Sequence, residues 1–206
     1  MEDVLELYSQ PYDAQAPVVC MDEASKQHVK ETRIPLPMNS GFIEKYDSEY
    51  ERNGVSSIFM FFEPLSGQRH VYVSERRTQQ DWAYRMKELV DMHYPKVNKI
   101  RVVMDNLNIH KIASLYLAFT PEEALRIAQK LEVHYTPKHG SWLNMAEIEL
   151  SVLSSQCLNR RIPDRETMSK ECKAWAKCRN AENRKANWQF TTKDARIKLR
   201  RLYPVV

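Results

Sequence analysis

The chain has 206 residues, 43% hydrophobic and 28% charged, with a formal net charge of +4, enough to bury one core and form one domain with appendages. No apolar run approaches the roughly 20 residues that span a bilayer, and the start Met1-Glu2-Asp3 lacks a signal peptide's basic region, so a soluble cytoplasmic protein is expected. The four cysteines (Cys20, Cys157, Cys172, Cys178) form no CxxC pair and have no His at zinc-finger spacing, which argues against a disulfide framework or structural zinc and leaves them as small core residues.

Residues 1–17 read as a lead-in. Val18 to Asp22 is a first strand, and Ser57–Phe62 and His70–Val73 are the next two, joined by a turn at Ser66-Gly67. Thr78 opens a helix with Asp81 at a capping-box position and Trp82, Met86 and Leu89 at helical spacing. Ile100 to Asp105 is a fourth strand. Thr120-Pro121-Glu122-Glu123 is a strong helix start, with Thr as N-cap and Pro at the first helical position. Glu132 to Tyr135 is a short fifth strand. Strands first and strand–helix alternation afterwards predict a mixed α/β sheet with helices against it.

The last third is predicted helical. Ser141 caps a helix from Trp142 to about Asn159, with Leu143, Ala146, Leu150, Leu153 and Cys157 as its apolar stripe. Glu147 and Glu149 lie on opposite borders of that stripe, and periodicity does not choose between them. A helix from about Arg165 turns Met168, Cys172 and Trp175 inward. A last one from about Lys193 carries Ala195, Leu199 and Leu202, with Lys193, Arg196 and Arg200 beside them. From Arg160 onward there are 14 Lys and Arg against 5 Asp and Glu. A polyanion would lie along this basic segment, and the last helix is the first candidate for phosphate contact.

Asp22 and Asp105 each end an apolar run, which holds a carboxylate at the rim of a sheet where a hard cation can meet it. With a glutamate from the helix after Gly140 they suggest a two-metal phosphoryl-transfer site.

The string Val103-Met104-Asp105-Asn106-Leu107-Asn108-Ile109-His110, followed by Tyr135-Thr136-Pro137 and Leu143-Asn144-Met145-Ala146-Glu147, resembles the second and third acidic motifs of DDE transposases of the mariner-like superfamily, most narrowly the bacterial insertion-sequence branch. Cys20-Met21-Asp22-Glu23 resembles the first motif, and the match runs from about Val18 to Leu150. The resemblance implies an RNase H-like α/β fold: a mixed five-stranded sheet with flanking helices over residues 18–160, and a basic helical segment, 161–206, packed on it. It makes Asp22, Asp105 and Glu147 the catalytic and metal-binding triad for two Mg²⁺ (or Mn²⁺) ions, with double-stranded DNA, both transposon ends and target, as substrate and a homodimer on that DNA. It selects Glu147 over Glu149, which is left to solvent or a basic partner and whose loss should have at most a modest surface effect.

Glu23, Asn106 and His110 stand where they would support the triad, His110 by orienting the loop after Asp105. Lys138 and His139 are placed to meet a phosphate. The interval from Asp105 to Glu147 exceeds the family's commoner spacing, and the excess falls around Phe119 to Gln129, which suggests an insertion beside the site. Family members usually carry paired helix-turn-helix modules ahead of the catalytic domain, so this chain reads as the catalytic part, with a separately encoded DNA-reading part as a partner. Two other readings are an RNase H-like or junction-resolving nuclease, against which the Leu-Asn-x-x-Glu motif argues, and an inactive remnant that binds DNA or an intact transposase.

Overall fold

In the computed structural model the described residues are 1–203 except Pro35, Glu44, Tyr46 and His139. Five strands form one sheet in the order β3-β2-β1-β4-β5. β1 (Val18–Glu31), β2 (Tyr50–Glu63) and β3 (Gln68–Ser74) run antiparallel in sequence order, while β4 (Ile100–Met104) and β5 (Leu131–Tyr135) add in parallel beside β1. The β2–β3 turn needs Gly67, whose φ is +73°. A Cβ there would also stand 3.0 Å from the Asn183 backbone, which packs on the turn.

The sheet is buried on both faces, as a sheet with parallel crossovers requires. Val19 and Met21 of β1 face a core with Phe59, Phe61, Val102 and Met104, roofed by Trp82 and Met86 of α2 (Gln79–Glu88), Leu115 of α3 (Leu115–Ala118), and Ala124 and Ile127 of α4 (Pro121–Lys130). Cys20 faces the other core with Ile58, Met60, Phe62 and Val103, closed by α5 (Met145–Leu153) and by Met168 and Cys172 of α6 (Arg165–Ala181). Successive residues of β1 therefore belong to different faces. The predicted caps form: Thr78 and Asp81 make a capping box, and Thr120 caps α4 with Pro121 at its start.

Several expectations are corrected. The lead-in holds a helix, α1 (Glu2–Ser9), whose Val4, Leu5, Leu7 and Tyr8 join the second core. The segment at Phe119–Gln129, expected as an insertion, forms α4 in the crossover from β4 to β5 and buries Ala124 and Ile127. The helix expected over Trp142–Asn159 is broken: Ser141–Leu143 is a 3₁₀ turn, Asn144 is extended, α5 begins at Met145, and Ser154–Leu158 is π-helical. Cys20 and Cys172 are core residues but Cys178 is exposed. The last helix, α7 (Thr192–Lys198), buries Ala195, whereas Leu202 lies beyond it and is exposed. No helix among the described residues is long and apolar enough to cross a membrane.

Candidate active site

The parallel pairing of β1 with β4 sets Val18 against Arg101, Val19 against Val102 and Cys20 against Val103. Carried two residues further, the same register sets Asp22 level with Asp105. The ladder ends before it reaches them, so the two strands part where the carboxylates stand, at the carboxyl end of the parallel strands where α/β sheets form their ligand crevices. Asp22 Oδ1 accepts a hydrogen bond from the Glu23 N–H at 2.7 Å. Beyond Asp105 a groove of about 470 Å³ is lined by Asp105, Asn106, Thr136, Pro137, Lys138 and Ser141.

Glu23, one residue on, points to the opposite face as strand alternation requires. Its side chain is 2% exposed and its Oε1 lies 2.9 Å from His110 Nε2, while the other His110 ring nitrogen bonds Asp105 Oδ1. His110 is buried, with its ring beside Trp82 and its carbonyl accepting from Tyr135 Oη–H at 2.7 Å. Burial alone would lower the imidazole's pKa, but the bonds to Asp105 and Glu23 outweigh it and hold the ring at about 9. The imidazolium thus holds the Asp105 carboxylate from behind and ties it to β1 through Glu23.

The third acidic position is built by Asn144. Gly140 makes the tight turn before it, since a Cβ there would fall 2.5 Å from Pro137 Cγ. Asn144 is buried, caps α5 by accepting from the Ala146 N–H at 3.1 Å, and donates from Nδ2 to the Met21 carbonyl at 2.7 Å. The first turn of α5 is therefore stitched to the residue before Asp22. Its motif position was visible in the sequence; its role as the bond between helix and strand was not. Glu147 lies in that first turn and is exposed.

Glu149 faces inward. It is 5% exposed and lies 3.0 Å from Arg69 Nε and 3.0 Å from Arg179. The expected basic partner is present, but the expected surface setting is corrected: Arg69 is fully buried, so this is an interior ion cluster.

Burial pushes the Asp22 carboxyl up to about 6, and the charges of Asp105, Glu147 and Glu23 push the same way against the single bond from the Glu23 N–H. Glu23 Oε2 is buried with no hydrogen-bond partner among the described residues. Hard oxygen donors with negative charge in excess fit a divalent cation such as Mg²⁺ or Mn²⁺ in chemistry and charge. As the side chains stand, no group of three His, Cys, Asp or Glu among the described residues is gathered tightly enough to hold a metal.

Of the predicted phosphate contacts, Lys138 is exposed and lines the Asp105 groove with Asn106. His139 lies outside the described residues. Lys193 and Arg200 are exposed, but Arg196 donates to both carboxylate oxygens of Glu2 at 2.8 and 2.7 Å and joins α7 to α1. Four other arginines of the basic segment behave similarly: Arg160, Arg161, Arg165 and Arg184 pair with Glu171, Glu31, Glu75 and Glu182.

A family model described as DDE superfamily endonuclease matches residues 17–169. No curated protein matches. Among solved structures the chain resembles the Mos1 mariner paired end complex with Mn, with a TM-score of 0.60 at 14% identity over 88% of this chain and 54% of that one. It also resembles a pre-cleavage Mos1 transpososome, with a TM-score of 0.53 at 13% identity over 89% and 60% of the two chains. The likeness is one of fold, and the chain spans little more than half the length of these relatives.

Proposed function

Because this chain belongs to the DDE superfamily endonucleases, we propose that it is the catalytic domain of a DNA transposase that cuts and joins DNA strands at Asp22, Asp105 and Glu147. The observation that carries this reading is the register that sets Asp22 level with Asp105, with the charges of Asp105 and Glu147 both acting on the Asp22 carboxyl.

Asp22, Asp105 and Glu147 would hold the metal, with Glu147 brought in from the exposed first turn of α5. Bound divalent cations supply an activated hydroxyl nucleophile and neutralise charge on the phosphate under attack. The chain's own residues position the rest. His110 holds the Asp105 carboxylate in place by a hydrogen bond, Asn144 ties α5 to β1, and Lys138 at the groove holds a phosphate of the bound strand by charge. The Mn in the Mos1 complex supports a divalent ion for this donor set, and we assign two ions on chemical grounds. DNA-end reading falls to helix-turn-helix modules other than residues 1–206, and pairing of two ends to a dimer on DNA.

The test is nicking of supercoiled plasmid by the 206-residue chain with Mn²⁺. Asp105→Asn and Glu147→Gln should each reduce it at least about 100-fold with the fold intact. Nicking by Asp105→Asn at the wild-type rate would refute the reading.

A further inference from the structure

Glu149 sits at the centre of a buried cluster that touches four parts of the fold. Arg69 of β3 has no exposed side-chain surface. Its Nε faces Glu149 Oε2, one terminal nitrogen donates to Asn180 Oδ1 at 3.1 Å, the other donates to the Arg184 carbonyl at 2.7 Å, and its guanidinium lies 5.0 Å from the Phe62 ring. Asn180 closes the arrangement by exchanging bonds with the Arg69 backbone at both N–H and C=O, each 2.9 Å. Arg179, one residue earlier on α6, grips Glu149 from the other side at 3.0 and 3.3 Å. Two terminal nitrogens of Arg69 are thus fixed by hydrogen bonds, its Nε meets Glu149 as an ion pair outside hydrogen-bond geometry, and the directional bonds to the Glu149 carboxylate come from Arg179.

A buried charge cluster of this kind adds little net stability, because desolvation of its members offsets their attraction. What it does supply is direction: charge-assisted bonds to a guanidinium fork are angular, whereas apolar packing tolerates small rotations of a short helix. α5 has nine residues and depends on Asn144 at its start and Glu149 in its middle for polar attachment. Glu147 and Glu149 are two residues apart, about 200° around a helix. The angle at which Glu149 enters its clamp is therefore the angle at which Glu147 leaves the opposite face.

We infer that Glu149, clamped between Arg69 and Arg179, is a positioning residue that sets the rotation of α5 and so aims Glu147 at the metal. The inference rests on the metal-binding role proposed for Glu147. It explains why a carboxylate two residues from a proposed ligand is buried against two arginines.

The experiment replaces the whole clamp with apolar residues, Arg69→Met, Glu149→Leu and Arg179→Met together, an exchange that commonly leaves stability near wild type. The full chain is titrated with Mn²⁺ by calorimetry, and the variant is crystallised. The expected result is a thermal midpoint near wild type, a turned or loosened α5, and Mn²⁺ affinity reduced about tenfold or more. An α5 that keeps its orientation overturns the inference, and so does a turned α5 with wild-type Mn²⁺ affinity where Glu147→Gln loses that affinity. If α5 turns and neither the clamp variant nor Glu147→Gln changes Mn²⁺ binding, the clamp stands and the metal role of Glu147 falls. Should the triple variant not fold, Arg179→Gln, which removes only the outer arm, carries the test: weakened Mn²⁺ binding supports the clamp and unchanged binding overturns it.

Discussion

The parallel register of β1 and β4, whose last paired rung is Cys20 with Val103, extrapolates two residues further to Asp22 and Asp105, the latter just past the end of β4. Burial already disfavours a charge on Asp22, and Asp105 adds to it. Asp22→Asn removes one charge from a repelling group, so without metal it should leave the thermal midpoint unchanged or raise it by a few degrees. The same variant should lose Mn²⁺-dependent nicking. Calorimetry in chelator beside the nicking assay checks both, and a destabilised Asp22→Asn would contradict the account of the site as a store of unfavourable charge.

Glu147 and Glu149 should separate cleanly when each is changed to Gln. Glu149→Gln leaves Arg69 and Arg179 facing a neutral amide inside the protein, and breaking a buried pair in this way costs about 3 kcal/mol or more. In a chain of this size that lowers the thermal midpoint by roughly 6–12 °C. Glu147 is exposed, and its change should move the midpoint little. Denaturation of the two variants side by side decides it: equal stabilities would mean that Glu149 is not held as described.

The contrast between these glutamates shows what the sequence could and could not tell. The five strands and the caps at Thr78 and Thr120 were legible because hydrophobic runs and cap chemistry are local signals. The motif singled out Asp22, Asp105 and Glu147 as the proposed triad. Helical periodicity left Glu147 and Glu149 equivalent, because the partner that buries Glu149 comes from β3, eighty residues earlier in the chain. α1 was missed for a similar reason: an eight-residue amphipathic segment is marginal alone and is fixed here by docking Leu5 and Tyr8 into a core made by later elements. The break at Asn144 was hidden because its side chain caps the helix and reaches β1 at once, while the surrounding apolar residues still read as one stripe.

His70 and His93 stack with ring centroids 3.5 Å apart between β3 and the turn after α2. Burial, with His93 beside it, lowers His70 to about 3, and burial lowers His93 too. Between about 3 and an ordinary 6.5, the unfolded chain binds protons that the fold does not, so this pair's contribution to stability is complete above pH 6.5 and declines as pH falls. Relative to His70→Phe, the wild-type chain should therefore lose urea resistance between about pH 7 and pH 5. The difference between the two proteins isolates His70 from other titrating groups, and a difference that stays constant with pH would exclude this assignment.

Which basic residues meet DNA phosphates is tested by salt. Arg196 is bonded to both oxygens of Glu2, so its charge is already matched, and Arg196→Ala should loosen α7 from α1 while leaving the salt dependence of DNA binding nearly unchanged. Lys170, Lys173 and Lys177 are exposed at three- and four-residue spacing along α6, and among the described residues none has an ion-pair partner within 4.0 Å. Two of them border a groove of about 360 Å³ with His70, His93 and Asn180. Each phosphate contact contributes about 0.9 to the slope of log affinity against log salt, so replacing the three lysines by Ala should flatten the slope by roughly 2 to 3. Fluorescence anisotropy of a labelled duplex across a salt series measures it. A larger loss of slope from Lys193→Ala with Arg200→Ala would return the phosphate path to the end of the chain, where the sequence alone had placed it.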